Sequence, residues 1–543
     1  MNMELSFADL PHQAKLFINY VNHFPSVENF YRVDYRNDKE LRAHFEKILT
    51  RFGDKRNRLV QLLRKQNERL NKSSGYQAAL EALSMDNALA VVTGQQVGIF
   101  TGPLYTLYKA IGAFNLSGNL KERFPDFEFV PVFWLEGDDH DLNETNHIHI
   151  LNSSLEVVRI GGEQSDPESE NLTPMSEIMV DEGFNDVLGQ LDAILRESDF
   201  KQNLFKMLSE FYTTGETFAS AFSKTITHIL QDIPFLIFDP TDAESKRIFG
   251  PIFERELSTF PRTSEEVIKS SAQLEEIYHV QVKPRVINLF YLDNGKRRGI
   301  EPISNAFSLR GTKRKLMREQ LRTLIETSPE SFSPNVVLRP ICQDYTFPTA
   351  AYVGGPSEIA YFAQLKGVYE LFEVDMPPIF PRPSATILEH TVQKIMERYQ
   401  LSILDAFYDF DELVKKALRA VSAEDIPDEF TKTSDEVARA VHWLDPLAVR
   451  IDPTLKGAVD STVSRMLYHL QHLQEKTIAA YRRKNDQVLQ QVKKFQQFVY
   501  PNRDLQERVI NFSYFYNKYG DNFINKLLKE LPPYATSHKI ILI

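Results

Sequence analysis

Apolar positions along the chain fall into short unbroken runs in its first two thirds and into helical spacing in its last third. Ala88–Val92 (ALAVV) is halted at Thr93-Gly94, which predicts a buried strand followed by a turn. Residues 38–84, rich in charge and Leu, read as helix. Pro103 suits a first helical position, where the missing N–H has no partner to lose. Leu104, Leu107, Tyr108, Ile111 and Leu116 then keep roughly helical spacing up to Gly118, the expected stop. Phe127–Leu135 (FEFVPVFWL) reads as a second buried strand and completes a strand–loop–helix–strand unit.

The next segment has a different texture: a polar, acidic stretch at 161–170 leads into helical patterns at 185–195 and 202–230, an insertion into the sheet. Strand character returns at Ile233–Pro240, Pro284–Leu292 and Asn335–Ile341. Gly354-Gly355-Pro356 opens another amphipathic helix expected to end near Phe372. After Pro381-Arg382-Pro383-Ser384 the pattern is helical to Val499, with a polar break around 421–434 and a turn near 445–453. Val459, Val463, Met466, Leu470 and Leu473 alternate steps of four and three, and Ile478, Tyr481, Asn485, Val488, Val492 and Phe495 resume the seam after a slip. Both a coiled coil and an ordinary antiparallel bundle satisfy that spacing. The pattern therefore predicts an α/β core in two parts, 1–150 and 233–380. It also predicts a helical insertion at 151–232, a helical coiled-coil arm at 381–500, and a segment at 501–543 that packs back on the core.

With 543 residues the chain exceeds what one hydrophobic core fills, consistent with several structural units. A net charge of −11 argues against nucleic acid or anionic lipid as partner, since both need a basic face. One cysteine, Cys342, excludes an intramolecular disulfide and a cysteine-rich zinc site. No secretory pattern opens the sequence and no run approaches ~18 apolar residues, so a cytoplasmic protein without a membrane span is expected.

Chemistry concentrates in four places. The stretch Thr93-Gly94-Gln95-Gln96-Val97-Gly98-Ile99-Phe100-Thr101-Gly102-Pro103 has three glycines ahead of a helix start, where free N–H groups favour a phosphate or carboxylate. It is neither a Walker loop nor a dinucleotide fingerprint, and a purely structural turn is the alternative. Trp134-Leu135-Glu136-Gly137-Asp138-Asp139-His140 falls at the carboxyl end of a strand, where open α/β sheets collect ligands. Asp139 and His140 are the leading acid–base pair there. His147 and His149 share one strand face and could bind zinc, although surface imidazoles more commonly do not. Gly354, Gly355 and Glu358 form a second helix-start site, in which Glu358 either receives an amine or simply complements the helix dipole. Arg382 and Ser384 could hold an anion, with helix capping as the plain alternative for Ser384. Gly311–Lys315 reads as a solvated basic loop more readily than as a phosphate clamp.

The strings TGQQVGIFTGPLYTLYKAI (93–111), PVFWLEGDDHDLNETNH (131–147), AYVGGPSEIAYFAQL (351–365), PRPSAT (381–386) and YPNRDLQERVINFSYFYNKYG (500–520) together resemble the bacillithiol-synthesis cysteine ligase family. The resemblance spans most of the chain. It implies a Rossmann-like core related to nucleotidyltransferases and class I aminoacyl-tRNA synthetases, with connecting-peptide insertions and a coiled-coil arm that makes a homodimer. It also implies addition of L-cysteine to glucosaminyl-malate, the last step in making the thiol bacillithiol. Because amide formation from a free carboxylate in water is unfavourable, ATP is expected as an activating substrate, with no tightly bound cofactor and no metal. The HIGH and KMSKS signatures of class I adenylating cores are absent, and TGPL (101–104) stands where the first would fall.

On this reading Thr93, Gly94, Gln95, Gln96, Gly98, Thr101, Gly102, Gly354, Gly355 and Glu358 bind the anionic substrate groups. Asp139 and His140 assist proton transfer, and Trp134, Asp138, Arg382, Ser384, Gln506 and Arg508 are expected to bind the substrate as well. Two other readings remain open from the residues alone: nucleotidyl transfer onto a small sugar or acid, and a nucleotide-binding scaffold without catalysis.

Overall fold

The structure, a computed structural model, describes residues 4–53, 55–162, 172–421, 426–484 and 486–543. The acidic stretch at 163–170 and the seam residue Asn485 lie outside the described residues. The chain forms two compact units, one of residues 2–387 with 504–541, the other of residues 388–503.

The larger unit is built on a five-stranded parallel sheet. Its strands are β1 (Ala88–Gln96), β2 (Glu128–Glu136), β3 (Leu236–Phe238), β4 (Thr349–Gly354) and β5 (Ile379–Pro381), in spatial order β5-β4-β1-β2-β3. The first strand is central, the next two extend to one side and the last two to the other. That is the doubly wound arrangement, whose ligand crevice lies at the carboxyl ends beside the central strand. Four helices matter to the site: α1 (Tyr105–Arg123), α2 (Ala243–Thr259), α3 (Arg339–Thr346) and α4 (Pro356–Phe362).

β1 does not stop at Thr93-Gly94. The parallel ladder continues to Gln96, which lies opposite Glu136, because Thr93 donates its hydroxyl to the Val353 carbonyl at 2.9 Å and Gly94 lets the backbone lie against Trp134. A Cβ on Gly94 would meet the Trp134 Cβ at 3.1 Å. The sheet thereby carries two glutamines past the apolar run, into the crevice. α1 likewise outruns Gly118, since Leu116 and Leu120 continue its buried face and the glycine faces open space. Asn335–Ile341 is no strand: Asn335 accepts from the N–H groups of Val337 and Leu338, a local turn that launches α3 with Pro340 in its first turn. The helix expected to reach Phe372 breaks after α4, because the buried Gln364 side chain bonds Val282 N–H at 2.9 Å and Ser271 Oγ at 2.8 Å instead of facing a helix neighbour.

The 151–232 region comprises a hairpin strand, Val157–Gly161 paired to His147–Leu151, and helices Phe184–Ile194, Lys201–Phe211 and Phe218–Ile229. Between β3 and α3 the chain builds an antiparallel sheet whose strands include Leu289–Asp293, Lys296–Ile303 and Phe332–Pro334. Residues 504–541 pack within this unit, and the strand His538–Leu542 pairs with Glu4–Leu5.

The smaller unit is helical. The expected polar break lies partly within a helix, Ile426–His442, where Lys432 pairs with Asp428 one turn back at 2.7 Å. Of the seam in Lys456–Lys484, Val463 is buried, whereas Met466 and Leu473 are exposed; Val488, Val492 and Phe495 are buried in Asp486–Val499. Among the described residues no helix is long and apolar enough to cross a membrane.

Candidate active site

A cavity of about 560 Å³ opens at the carboxyl ends of β1, β2 and β4, beside the central strand. Its floor is tied together by one lysine. Lys109 Nζ, on α1, donates to the Gly94 carbonyl at 2.8 Å and to Gln95 Oε1 at 3.1 Å, and pairs with Glu358 Oε2 at 2.5 Å. Glu358 also accepts from the Gly355 N–H at 2.7 Å and from the Tyr352 hydroxyl at 2.5 Å. Burial alone would raise the Glu358 carboxyl, but the Lys109 charge and these hydrogen bonds hold it below the usual glutamate value. The amine that Glu358 receives is thus the protein's own, and its carboxylate occupies the Gly355 N–H at the start of α4.

Polar groups at the end of β2 make the second wall. Gln96 donates to Asp139 Oδ2, and the His140 N–H donates to Asp139 Oδ1 at 2.8 Å, so both carboxylate oxygens are engaged. Arg297, reaching in from Lys296–Ile303, donates to His140 Nδ1 at 3.2 Å. A guanidinium has only donors, so Nδ1 is the bare nitrogen and Nε2 carries the proton. Burial, then the Arg297 charge, holds the imidazole below its ordinary pKa, which keeps it neutral at pH 7. Arg297 also donates to Ser333 Oγ at 2.9 Å and to the Pro334 carbonyl at 2.7 Å. Burial presses its own pKa down, against the charges of Asp138, Asp139 and Glu136.

Of the residues singled out in the sequence, Gly94, Gln95, Gln96, Asp139, His140, Gly355, Glu358, Arg382 and Arg508 line this cavity. The others do not, and each has a structural occupation. Thr93 bonds β4. Gly98, Thr101 and Gly102 form a turn sealed by Asn511, whose amide donates to the Phe100 carbonyl at 2.8 Å and to the Gly102 carbonyl at 2.5 Å. The N–H groups expected there for an anion are taken as well: Phe100 N–H bonds the Tyr212 hydroxyl at 2.6 Å, and Leu104 N–H the Ile510 carbonyl at 2.9 Å. Trp134 is buried and donates to Glu136 Oε2 at 3.1 Å. Asp138 pairs with the buried Lys246 of α2 at 2.6 Å. Gly354 gives its carbonyl to the Arg382 N–H at 2.9 Å. Ser384 caps no helix; it bonds Glu507 at 3.0 Å and His538 at 2.8 Å. Gln506 bonds both the N–H and the carbonyl of Ile387, as a neighbouring strand would.

Sequence reasoning passed over the basic wall: Lys283, Arg285, Arg297 and Arg339 line the cavity from the antiparallel sheet, its flanking loop and α3. No motif marks them. Glu136 belongs to the strand-end cluster, where the sequence singles out Asp139 and His140 instead, although the change from an apolar strand to a carboxylate at its carboxyl end is a visible signal. His147 and His149 stand with ring centres 5.0 Å apart, both below the ordinary imidazole pKa through burial and the Arg159 charge. No group of three or more His, Cys, Asp or Glu suited to a metal occurs among the described residues.

A doubly wound α/β unit with carboxylates and guanidinium groups converging on its switch-point crevice places the chain in the Rossmann-like class. Residues 3–383 match the family model described as "Bacillithiol biosynthesis BshC, N-terminal Rossmann-like domain", and residues 385–543 match its "C-terminal coiled-coil domain". The chain belongs to the BshC family of bacillithiol biosynthesis, an enzyme family of the carbon–nitrogen ligase type. It is 35% identical to the "Putative cysteine ligase BshC" of Chlorobaculum tepidum, over 97% of this chain and 96% of that one. Like-named proteins of Salinibacter ruber (34%, covering 97% and 96%) and Flavobacterium johnsoniae (30%, covering 96% and 94%) are similarly related.

Proposed function

We propose that the chain joins L-cysteine to the amine of glucosaminyl-malate, forming bacillithiol in the cytoplasm, with ATP activating the cysteine carboxylate. The observation that carries this reading is the convergence of two opposite charge sets on one cavity. Arg285, Arg297, Arg339, Arg382 and Arg508 suit the malyl carboxylates and an activated acyl group, while Glu136, Asp139 and Glu144 suit an amine. The donor set fits a nucleotide's phosphates, and ATP enters as a substrate that supplies a leaving group.

The residues then divide the work. Lys109 and Glu358 fix the ends of β1 and α4, so that Gln95 and Gly355 keep their positions. His140, neutral and protonated on Nε2, serves as a hydrogen-bond donor to the acyl oxygen rather than as a base. Asp139, held by Gln96 and the His140 N–H, keeps its position beside that imidazole. Exposure of Met466, Tyr468 and Leu473 on Lys456–Lys484 supports a second copy of the chain as the partner of that helix, a homodimer.

The test is to supply purified protein with glucosaminyl-malate, L-cysteine and ATP and to follow bacillithiol and the spent nucleotide. The reading predicts thiol formation matched by AMP or ADP and dependent on all three substrates. Pyrophosphate release that needs the sugar acid but not cysteine would replace it with nucleotidyl transfer.

A further inference from the structure

Joining an amine to an activated acyl group requires a proton acceptor. When an amine nitrogen becomes an amide it must lose a proton; Asp139 already accepts one donor on each oxygen, and the bare nitrogen of His140 already accepts from Arg297. Glu358 is neutralised by Lys109, and the exposed Glu144 is hydrogen-bonded by Gln96. Glu136 differs from all of them. It sits at the last position of β2, four-fifths buried in the cavity wall, and both of its contacts fall on a single oxygen: Trp134 Nε1 at 3.1 Å and Arg339 Nε at 3.7 Å reach Oε2. Oε1 has no protein donor among the described residues.

We propose that Glu136 is the general base of the reaction, a role that rests on the ligase reading. As the amine lone pair forms the C–N bond to the acyl carbon of the activated cysteine, the C–O bond to its phosphate or adenylyl leaving group breaks. The leaving group takes that electron pair, and the nitrogen's proton passes to Glu136 Oε1 and on to solvent. Trp134 and Arg339 fix the carboxylate by its other oxygen, so Oε1 is presented in one orientation.

The groups around it suit the task. Arg339 from α3 and Arg297 from the antiparallel sheet favour the ionised form, whereas Asp138 and Asp139, just beyond the strand, oppose it. The phenols of Tyr352 and Tyr361 lie on the far side of Arg339, and Lys246 is spent on Asp138. Burial dominates this balance and pushes the carboxyl up to about 7, close to where a base accepts a proton at neutral pH and releases it again.

The experiment compares the full-length wild type with Glu136→Gln and Glu136→Asp. Gln keeps the size and an acceptor for Trp134, so it preserves packing. With saturating substrates, Glu136→Gln is expected to lower kcat by about 10²–10⁴-fold while KM values change little. In the wild type kcat should rise with pH through about 7, as the carboxyl loses its proton, and the Gln variant should lack this rise. Glu136→Asp should recover part of the rate. A second readout replaces the sugar amine by hydroxylamine, which is neutral at pH 7 and strongly nucleophilic. Cysteine hydroxamate should then form at similar rates in wild type and Glu136→Gln, which locates the defect in proton removal and not in activation. A Gln variant within about threefold of wild-type kcat, or one that loses both reactions equally, overturns the assignment. A wild type that makes hydroxamate but no bacillithiol overturns the ligase reading instead, and the role of Glu136 with it.

Discussion

At the scale of single residues, the buried ion pair of Lys109 and Glu358 sets the site's stability. Their side chains are 5% and 18% exposed, so removing one partner strands the other charge. Lys109→Ala should cost about 3–5 kcal/mol in urea unfolding, and Lys109→Met with Glu358→Gln together should cost less than either single change. A pH signature follows from the same pair. The Glu358 carboxyl is held below its unfolded value, so its contribution is present above the ordinary glutamate pKa of about 4.3 and fades as pH falls through the lower folded value. Unfolding titrations should show the gap between wild type and Glu358→Gln closing below about pH 4, whereas a gap independent of pH would deny the linkage.

The sequence made half of this site legible. Gln95, Gln96, Asp139 and His140 lie three to five positions beyond the apolar runs that end at Val92 and Leu135, so the strand pattern points to their neighbourhood. Arg297 and Arg339 come from elements that adjoin the crevice only once the chain has folded, and nothing in their local spacing says so. Arg297 donates to His140 Nδ1, and on the proposed reading that contact leaves the imidazole as a donor.

At the scale of elements, the 93–103 stretch shows how three glycines can serve three ends. Gly94 gives way to Trp134, Gly98 has ordinary extended backbone at φ −99, and Gly102 adopts φ 68 and ψ −151, a region essentially reserved for glycine. Gly102→Ala should therefore destabilise by about 1–3 kcal/mol, and Gly98→Ala by distinctly less, in thermal or urea unfolding. Asn511→Ala, which orphans the Phe100 and Gly102 carbonyls, should cost about 1–3 kcal/mol in the same measurement. Composition located this turn but not its purpose. A glycine-rich helix start predicts unpaired N–H groups, and these are bonded here by Tyr212 and Ile510, each more than a hundred positions downstream. The strand ends slipped for a related reason: β1 outlasts its apolar run because a parallel neighbour, invisible in local pattern, continues to pair with it.

At the scale of the whole molecule, the alternation of apolar runs and helical segments foretold an α/β unit and a helical one, while the Rossmann-like character came from the family resemblance. For the helical unit, sedimentation velocity should give twice the 62.7 kDa chain mass, and Met466→Glu with Leu473→Glu should return the single-chain mass. A monomeric wild type would contradict the homodimer. That the switch-point cavity is where cysteine meets the amine is tested most directly by single-turnover bacillithiol formation in the wild type and in Arg297→Ala, read by mass spectrometry. Arg297 contributes to the cavity wall and fixes His140, so the variant should fold, bind ATP and form the thiol about 10²–10³-fold more slowly. Thiol formation at the wild-type rate in Arg297→Ala would place the chemistry elsewhere.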